Sequence, residues 1–353
     1  MGVRMRYRLH GKSGLRVSEL CLGAMTFGSD WGWGGDDAAS RAMFDAFAEA
    51  GGNFIDTAHV YTEGASERLV GDCVRADRDH FVVATKYTPH TGTDISKSGN
   101  SRKNMRHCVE ESLRRLGTDY IDLYLLHFWD YTTPAEEIMR GLDDLVSAGK
   151  ILYVAVSDVP AWQIARANTI AELRGWSPFI GMQVEYSLTE RTAERELIPM
   201  AEELDLGVTA WSPLAQGILS GKFLGNGTDQ PTRQQRDQIP QRSQEIAQLV
   251  VDIAKQVGRS PSQVALAAIM QLRPEAGVIP IIAGRNADQL KDNLGCLDLK
   301  LDPEHLAMLD AKTAIEPGFP YTMLGADFVK DMAFGRGNAA LLDNHRMRRI
   351  GRR

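Results

Sequence analysis

Four side chains that handle protons sit at or just beyond the ends of short apolar runs. Asp56 follows Asn53-Phe54-Ile55, and Tyr61 lies in the loop after it. Lys86 closes Phe81-Val82-Val83-Ala84-Thr85, and His127 closes the run from Tyr120 to Leu126. Together these groups suit proton delivery to a carbonyl oxygen. A tyrosine keeps its proton up to pH ~10. A lysine cation beside it favours tyrosinate and makes the phenol a better acid. Asp56 would hold that lysine charged and in place, and a histidine can orient the carbonyl or relay the proton. Each residue alone has a structural reading: a turn cap, a strand-end lysine, a loop anchor, a hydrogen-bonded core histidine. Four of them on one rim make coincidence a poor account.

None of the four moves a hydride, so redox chemistry here demands a cofactor. Ser157, Asp158 and Gln183 can hydrogen-bond a carboxamide, and Trp211 can stack on a flat ring. Gly284 and Arg285 precede a helix start, a combination that attracts phosphate. Taken alone, Trp211 reads equally as core and Arg285 as a solvated charge.

For these residues to meet, their strands must run parallel with their carboxyl ends on one side. The chain alternates in that way. Tyr7–Leu9 and Leu15–Val17 flank Gly11-Lys12-Ser13-Gly14 and predict a β-hairpin. Glu19–Gly23 is the first barrel-type strand, and a Trp- and Gly-rich loop follows to Gly35. Asp36 or Asp37 caps a helix with apolar residues at helical spacing. After Gly51-Gly52 comes the strand Asn53–Ala58, and Ser66-Glu67 opens a helix with Ser66 as its N-cap. Strands 81–86, 120–127, 152–158, 180–186, 208–214 and 278–282 follow, separated by helical patterns. Gly117 and Gly149 end two of these helices. Residues 225–242 are polar and Gln/Asp/Arg-rich, and read as a flexible loop. Helices then span 243–257 and 262–272, with 286–294 starting the eighth barrel helix and 302–312 adding one more.

Strands alternating with helices mean parallel pairing and right-handed crossovers. Eight such units favour a closed (β/α)8 TIM barrel, an α/β fold, here with an N-terminal hairpin and a C-terminal extension. No G-x-G-x-x-G follows an early strand, which speaks against a Rossmann site. No linker divides the chain. We expect one domain over 1–353, with the barrel at about 18–312 and the extension at 313–353, since such barrels need about 250 residues.

The 353 residues carry a net charge of −6 with a pI near 5.8. That gives no general electrostatic reason to bind nucleic acid or an anionic membrane. The basic end from His345 to Arg353 reads as a solvated terminus. Cys21, Cys73, Cys108 and Cys296 form no C-x-x-C pair and no metal-site spacing. No apolar run follows the first arginines and none approaches the length of a membrane span, so a reducing cytoplasm is expected.

The combined motifs resemble the aldo-keto reductase superfamily, from about Tyr7 to Lys312. Asn53–Ala58 with Tyr61 and Gly64-Ala65-Ser66-Glu67 is similar to its first signature. Val83–Lys86 and Tyr120–His127 resemble its lysine and histidine segments. Trp211–Lys222 resembles the cofactor segment of the branch holding the potassium-channel β subunits and many bacterial reductases. Residues 279–293 resemble the segment that binds the adenosine phosphate. The resemblance implies Tyr61 as general acid with Lys86, Asp56 and His127, and NADPH/NADP+ as cofactor. It implies Ser157 and Gln183 at the carboxamide and Trp211 on the nicotinamide. Ser212, Pro213, Leu214, Gln216, Gly217 and Lys222 would follow the pyrophosphate and ribose. Gly284, Arg285, Gln289, Asp292 and Asn293 would surround the adenosine end, and Ala24 and Met25 would also touch cofactor. Asp158 departs from the family's usual Asn or Arg and puts one carboxamide contact in question.

Trp31, Trp33 and Trp129, with Tyr61 and His127, suggest an aromatic-walled substrate pocket. The expected activity is reduction of a small-molecule aldehyde or ketone. The competing readings are a cofactor-sensing, non-catalytic binding protein of the channel β-subunit type, and a barrel lyase or isomerase with Lys86 as a Schiff base. No pattern sets an oligomeric state, and no metal site is expected.

Overall fold

The computed structural model describes residues 5–32, 34–224 and 236–343. The chain opens with an antiparallel pair, β1 (Tyr7–Leu9) and β2 (Arg16–Ser18). It continues through β3 (Cys21–Gly23), α1 (Asp37–Glu49), β4 (Phe54–Asp56), α2 (Ala65–Val74), β5 (Val82–Tyr87) and α3 (Arg102–Leu116). Then come β6 (Ile121–Leu126), α4 (Ala135–Ser147), β7 (Ile151–Ser157), α5 (Ala161–Arg174), β8 (Phe179–Glu185) and α6 (Leu197–Leu204). The last turn of the barrel holds β9 (Gly207–Trp211), α7 (Gln241–Val257), α8 (Pro261–Leu272), β10 (Ile279–Ile282) and α9 (Ala287–Leu294). Helices α10 (Pro303–Thr313), α11 (Tyr321–Leu324) and α12 (Asp327–Phe334) complete it. Strands β3 to β10 pair in parallel in chain order, and β10 returns to β3 to close an eight-stranded barrel. This is the expected (β/α)8 fold.

Local chemistry explains the element ends. Asp36 caps α1 by accepting from the Ala39 N–H at 2.8 Å. Ser101 caps α3, and Gly117 ends it in the left-handed conformation, where glycine carries no Cβ penalty. Ser260 and Gln263 form a reciprocal capping box on α8. Several boundaries differ from the sequence reading, and two of them have a visible cause. Ser66 is not an N-cap: α2 starts at Ala65, and the Thr62 hydroxyl accepts the Ser66 N–H at 3.0 Å. The Ser66 hydroxyl instead donates to the Ala24 carbonyl at 2.7 Å, tying α2 to the loop after β3. Helix α7 starts at Gln241, inside the segment read as a loop, because Pro240 fixes the entry and precedes it as N-cap. Residues 225–235 of that segment, Trp33 and the basic end of the chain lie outside the described residues.

Side chains alternate across a strand, so one parity fills the barrel interior and the other faces the helices. The interior cluster includes Cys21, Phe54, Val82, Ala84, Leu123, Leu125, Ala155 and Ile281. The larger cluster, with Leu22, Ile55, Val83, Tyr124 and Val156, packs against the helices. The β1–β2 hairpin closes the amino-terminal end of the barrel. His10 is buried there, edge-on to Phe54 at 5.6 Å, and Lys12 donates its N–H to the Asp205 carbonyl. Burial pushes the His10 imidazole down to about 4, so it packs as a neutral ring. Gly181 and Gly207 make room for it: a Cβ on Gly181 would lie 2.2 Å from His10 Nε2. Gly181→Ala should therefore cost about 1–3 kcal/mol of unfolding free energy, the range for overpacking, measured by urea denaturation. A loss below ~0.5 kcal/mol, the ordinary surface value, would show that the hairpin is not a fixed plug.

Candidate active site

Extending the interior parity to the strand ends brings the expected residues onto one rim. Asp56 follows Phe54 at the interior parity, Lys86 follows Ala84, His127 follows Leu125, and Ser157 follows Ala155. Gln183 shares parity with Gly181, and Trp211 with Thr209. The sheet thus turns a two-residue repeat into a ring of polar ends above an apolar interior.

At the centre is a buried ion pair. Lys86 is 0% exposed and Asp56 4% exposed. The Lys86 ammonium has three N–H groups and three partners: Asp56 Oδ2 at 2.6 Å, the Thr57 carbonyl at 2.9 Å and the Tyr61 hydroxyl oxygen at 3.3 Å. The second Asp56 oxygen, Oδ1, accepts from Gln183 Nε2 at 2.8 Å. Because Lys86 donates to the Tyr61 oxygen, the phenol proton is directed elsewhere. Both Tyr61 and His127 line the cavity above, with ring centroids 5.8 Å apart and nearly perpendicular.

The electrostatics follow from burial and charge. Burial alone would lower the Lys86 pKa, but attraction to Asp56 and Tyr61 outweighs it, and the net shift is upward. Lys86 therefore stays a cation. Burial raises the Tyr61 pKa above the ordinary phenol value, while the Lys86 charge and hydrogen bond pull it back down. Burial, then repulsion from Lys86, pushes His127 down to about 3, so its ring is neutral near pH 7. Its Nδ1 is buried with no hydrogen-bond partner among the described residues. A charged, enclosed lysine with every donor engaged is poorly suited to Schiff-base formation, which needs a free amine facing substrate.

The cavity, of about 1390 Å³, runs from this tetrad along the rim to α9. Its lining includes Met25, Ser157, Asp158, Gln183, Trp211, Ser212, Pro213, Leu214, Gln216, Gly217 and Lys222. At the far end it includes Gly284, Arg285, Gln289, Asp292 and Asn293. The chain leaves β9 in a tight coil, with Ser212, Ala215, Gln216 and Gly217 all at positive φ. That conformation turns successive backbone groups along the cavity wall. Trp211 Nε1 donates to Asp158 Oδ1 at 3.0 Å, so this carboxylate braces the indole. Burial raises the Asp158 pKa, and the Trp211 bond opposes that.

Several expected residues have other duties. Ala24 is fully buried and does not line the cavity, although Gly23, Met25 and Thr26 around it do. Trp129 is buried in the helix-facing core, away from the cavity wall. Trp31 stands edge-on to Tyr61 at 6.2 Å, beside the polar rim. Asp292 accepts from Ser260 and Gln263, bracing α8, and Asn293 donates to the Ala283 carbonyl. Two N–H groups at the start of α9 are already used. Asn286 accepts from Gln289, and the Gln289 side chain accepts from the Arg285 N–H. Thr26, Ser220, Ser262 and Asn286 also line the cavity and were not expected. Asn286 was recognisable as the N-cap of α9, but Ser262 and Ser220 carry no local signal of their position.

A family model described as the aldo/keto reductase family matches residues 19–314. An aryl-alcohol dehydrogenase [NADP(+)] from Phanerodontia chrysosporium is 39% identical over 335 residues, covering 88% of this chain and 86% of that protein. A norsolorinic acid reductase from Aspergillus flavus is 38% identical over 331 residues, covering 90% and 83%. Norsolorinic acid reductase B from Dothistroma septosporum is 35% identical over 344 residues, covering 91% and 85%. With a matching family model over most of its length and relatives of this similarity, the chain belongs to the aldo/keto reductase family.

Proposed function

We propose that this oxidoreductase catalyses the reversible reduction of an aldehyde or ketone, with NADPH as cofactor and Tyr61 as the proton donor. One observation carries the reading: the Asp56–Lys86–Tyr61 chain of hydrogen bonds ends at a cavity of about 1390 Å³ whose lining reaches Arg285 and α9. The relative from Phanerodontia chrysosporium has NADP(+) in its name, which supports the cofactor assignment.

The lining fits such a cofactor. Ser157, next to the tetrad, and Gln183 offer polar groups for a carboxamide, and Trp211 offers an indole face held by Asp158. Gln183 is shared, since its amide N–H₂ group also serves Asp56. Lys222 lies against Gly217, where a Cβ would meet its Nζ at 2.4 Å, beside the positive-φ coil. Arg285 supplies a guanidinium at the α9 end. When bound, NADPH supplies the hydride. The protein's part is to receive the carbonyl oxygen between the Tyr61 hydroxyl and the neutral His127 ring. Tyr61 then donates its proton as negative charge develops on that oxygen, and Lys86 stabilises the tyrosinate left behind. In the oxidative direction the same tyrosinate accepts the alcohol proton.

We further assign an aromatic carbonyl as the substrate class. Trp31 flanks Tyr61, and Phe128 is 41% exposed beside His127. Two of the relatives' names, an aryl-alcohol dehydrogenase and a norsolorinic acid reductase, support it.

Three outcomes follow. Tyr61→Phe keeps the ring and removes the proton, so kcat should fall about 10²-fold or more, the scale of general acid catalysis, with NADPH affinity unchanged in a fluorescence titration. Near-normal turnover would remove Tyr61 from its role. A wild-type protein that binds NADPH but turns over no aldehyde on a broad panel would instead favour a cofactor sensor. Lys86→Met removes the cation that lowers the Tyr61 pKa, so the basic limb of the pH–rate profile should move to higher pH. A stationary limb with reduced activity would assign Lys86 to packing. Arg285→Ala should weaken NADPH binding by about 1.5 kcal/mol, roughly tenfold and at the lower end for a charge-assisted hydrogen bond, and leave NADH binding nearly unaffected. Equal losses for the two cofactors would show that Arg285 does not read the ribose phosphate.

A further inference from the structure

The loop that bears Tyr61 is strained. Thr62 and Glu63 follow it at φ 45° and 52°, and Gly64 at φ 87°, three consecutive residues in the left-handed region. Such backbone persists only where its surroundings hold it. From above, the Thr62 hydroxyl donates to the Phe27 carbonyl at 2.7 Å. From below, the holding group is Arg115 of α3. Its Nη1 donates to the His59 carbonyl at 2.7 Å, just before Tyr61. Its guanidinium also lies flat under Gly64, just after Tyr61, where a Cβ would meet Arg115 Cζ at 2.6 Å. One side chain thus touches both ends of the segment from 59 to 64.

The same guanidinium is tied to the strand that carries Lys86. Arg115 Nη1 donates to Glu67 Oε2 at 3.1 Å, and Glu67 Oε1 accepts from the Thr85 hydroxyl at 2.7 Å. Glu67 is fully buried, and Thr85 immediately precedes Lys86. The His59 N–H closes the circuit by donating to the Lys86 carbonyl at 3.0 Å. A buried carboxylate that only balanced a charge would not need to reach both a strand hydroxyl and an arginine that grips the neighbouring loop.

We infer that Arg115, locked by Glu67, is a positioning residue that fixes the distance between the Tyr61 hydroxyl and the Lys86 ammonium. It touches neither the cavity nor the reacting atoms. It acts through the loop, and a displacement of about 1 Å at a reacting group can cost up to about 10²-fold in rate. The inference rests on Tyr61 being the proton donor. The charged and titratable groups near Tyr61 are Lys86, Asp56, Asp158 and His127. Those around Arg115 are Glu67, Glu111, His59 and Cys108. None of the groups around Arg115 is among those whose charge shifts Tyr61, so on this inference a change there reaches Tyr61 through the loop geometry.

The test uses full-length protein with NADPH and para-nitrobenzaldehyde. Arg115→Met should lower kcat about tenfold or more, leave the NADPH Kd within about twofold, and shift the basic limb of the pH–rate profile upward, because Lys86 then lowers the Tyr61 pKa less. Arg115→Lys can still donate to Glu67 or to the His59 carbonyl, and should fall between wild type and Arg115→Met in both readouts. A folded Arg115→Met protein with a wild-type basic limb overturns the inference, whatever its kcat. Should Arg115→Met not fold, Arg115→Lys, which retains the charge, is read in its place, and a wild-type basic limb in that variant overturns it equally. Failure of the underlying function reading looks different: wild-type protein would then show no turnover, or Tyr61→Phe would retain the basic limb.

Discussion

Everything at the rim depends on keeping one lysine charged where there is no water. Moving an ammonium into a protein interior is costly, and a buried pair is tolerable only when its hydrogen bonds are complete. Lys86 meets that condition with three donors and three acceptors, and Asp56 spreads its two oxygens over Lys86 and Gln183. The third Lys86 donor has no other partner than the Tyr61 oxygen. The charge balance of the barrel interior therefore decides which way the phenol proton points. The opposing effects of burial and Lys86 on Tyr61 place this group between an inert core phenol and a working acid.

The barrel supplies what such a pair needs. The apolar interior excludes water from below, and the hairpin carrying His10 closes that end. The carboxyl ends of β4, β5 and β6 lie side by side, with Asp56 paired to Ala84 and Lys86 to Leu125. Neighbouring strands ~4.8 Å apart bring side chains of the same parity within hydrogen-bond reach. The loop carrying Tyr61 must then fold back over this point, and it does so through left-handed residues braced by Thr62 and Arg115. A closed barrel fixes strand positions rigidly and leaves such loops to set the last ångström.

Much of this was legible in the sequence, because strand alternation is a local signal. The run Val82 to Lys86 and the run Ile121 to His127 announce both a strand and the residue at its end. Helix ends were legible where a single residue decides them, as at Asp36 and Gly117. The misreadings share a cause. Ser66 has the chemistry of an N-cap, but α2 already begins at Ala65 and the Ser66 hydroxyl is drawn to the Ala24 carbonyl. Trp129 has the chemistry of a pocket wall, but it packs in the helix-facing core. In both cases tertiary packing outcompetes a local propensity. The role of Asp158 as a brace for Trp211 was invisible for the same reason, since the two residues meet only when the barrel closes.

The central claim is that the buried Lys86 charge tunes Tyr61, and the Tyr61 ionisation itself tests it most directly. Protein labelled on its tyrosine rings can be titrated by NMR without cofactor, with Tyr61→Phe identifying the signal. The account predicts that Tyr61 titrates above the ordinary phenol value of about 10, and that its midpoint rises further when Lys86 is replaced by Met in a protein that remains folded. The same midpoint with and without the lysine would contradict it.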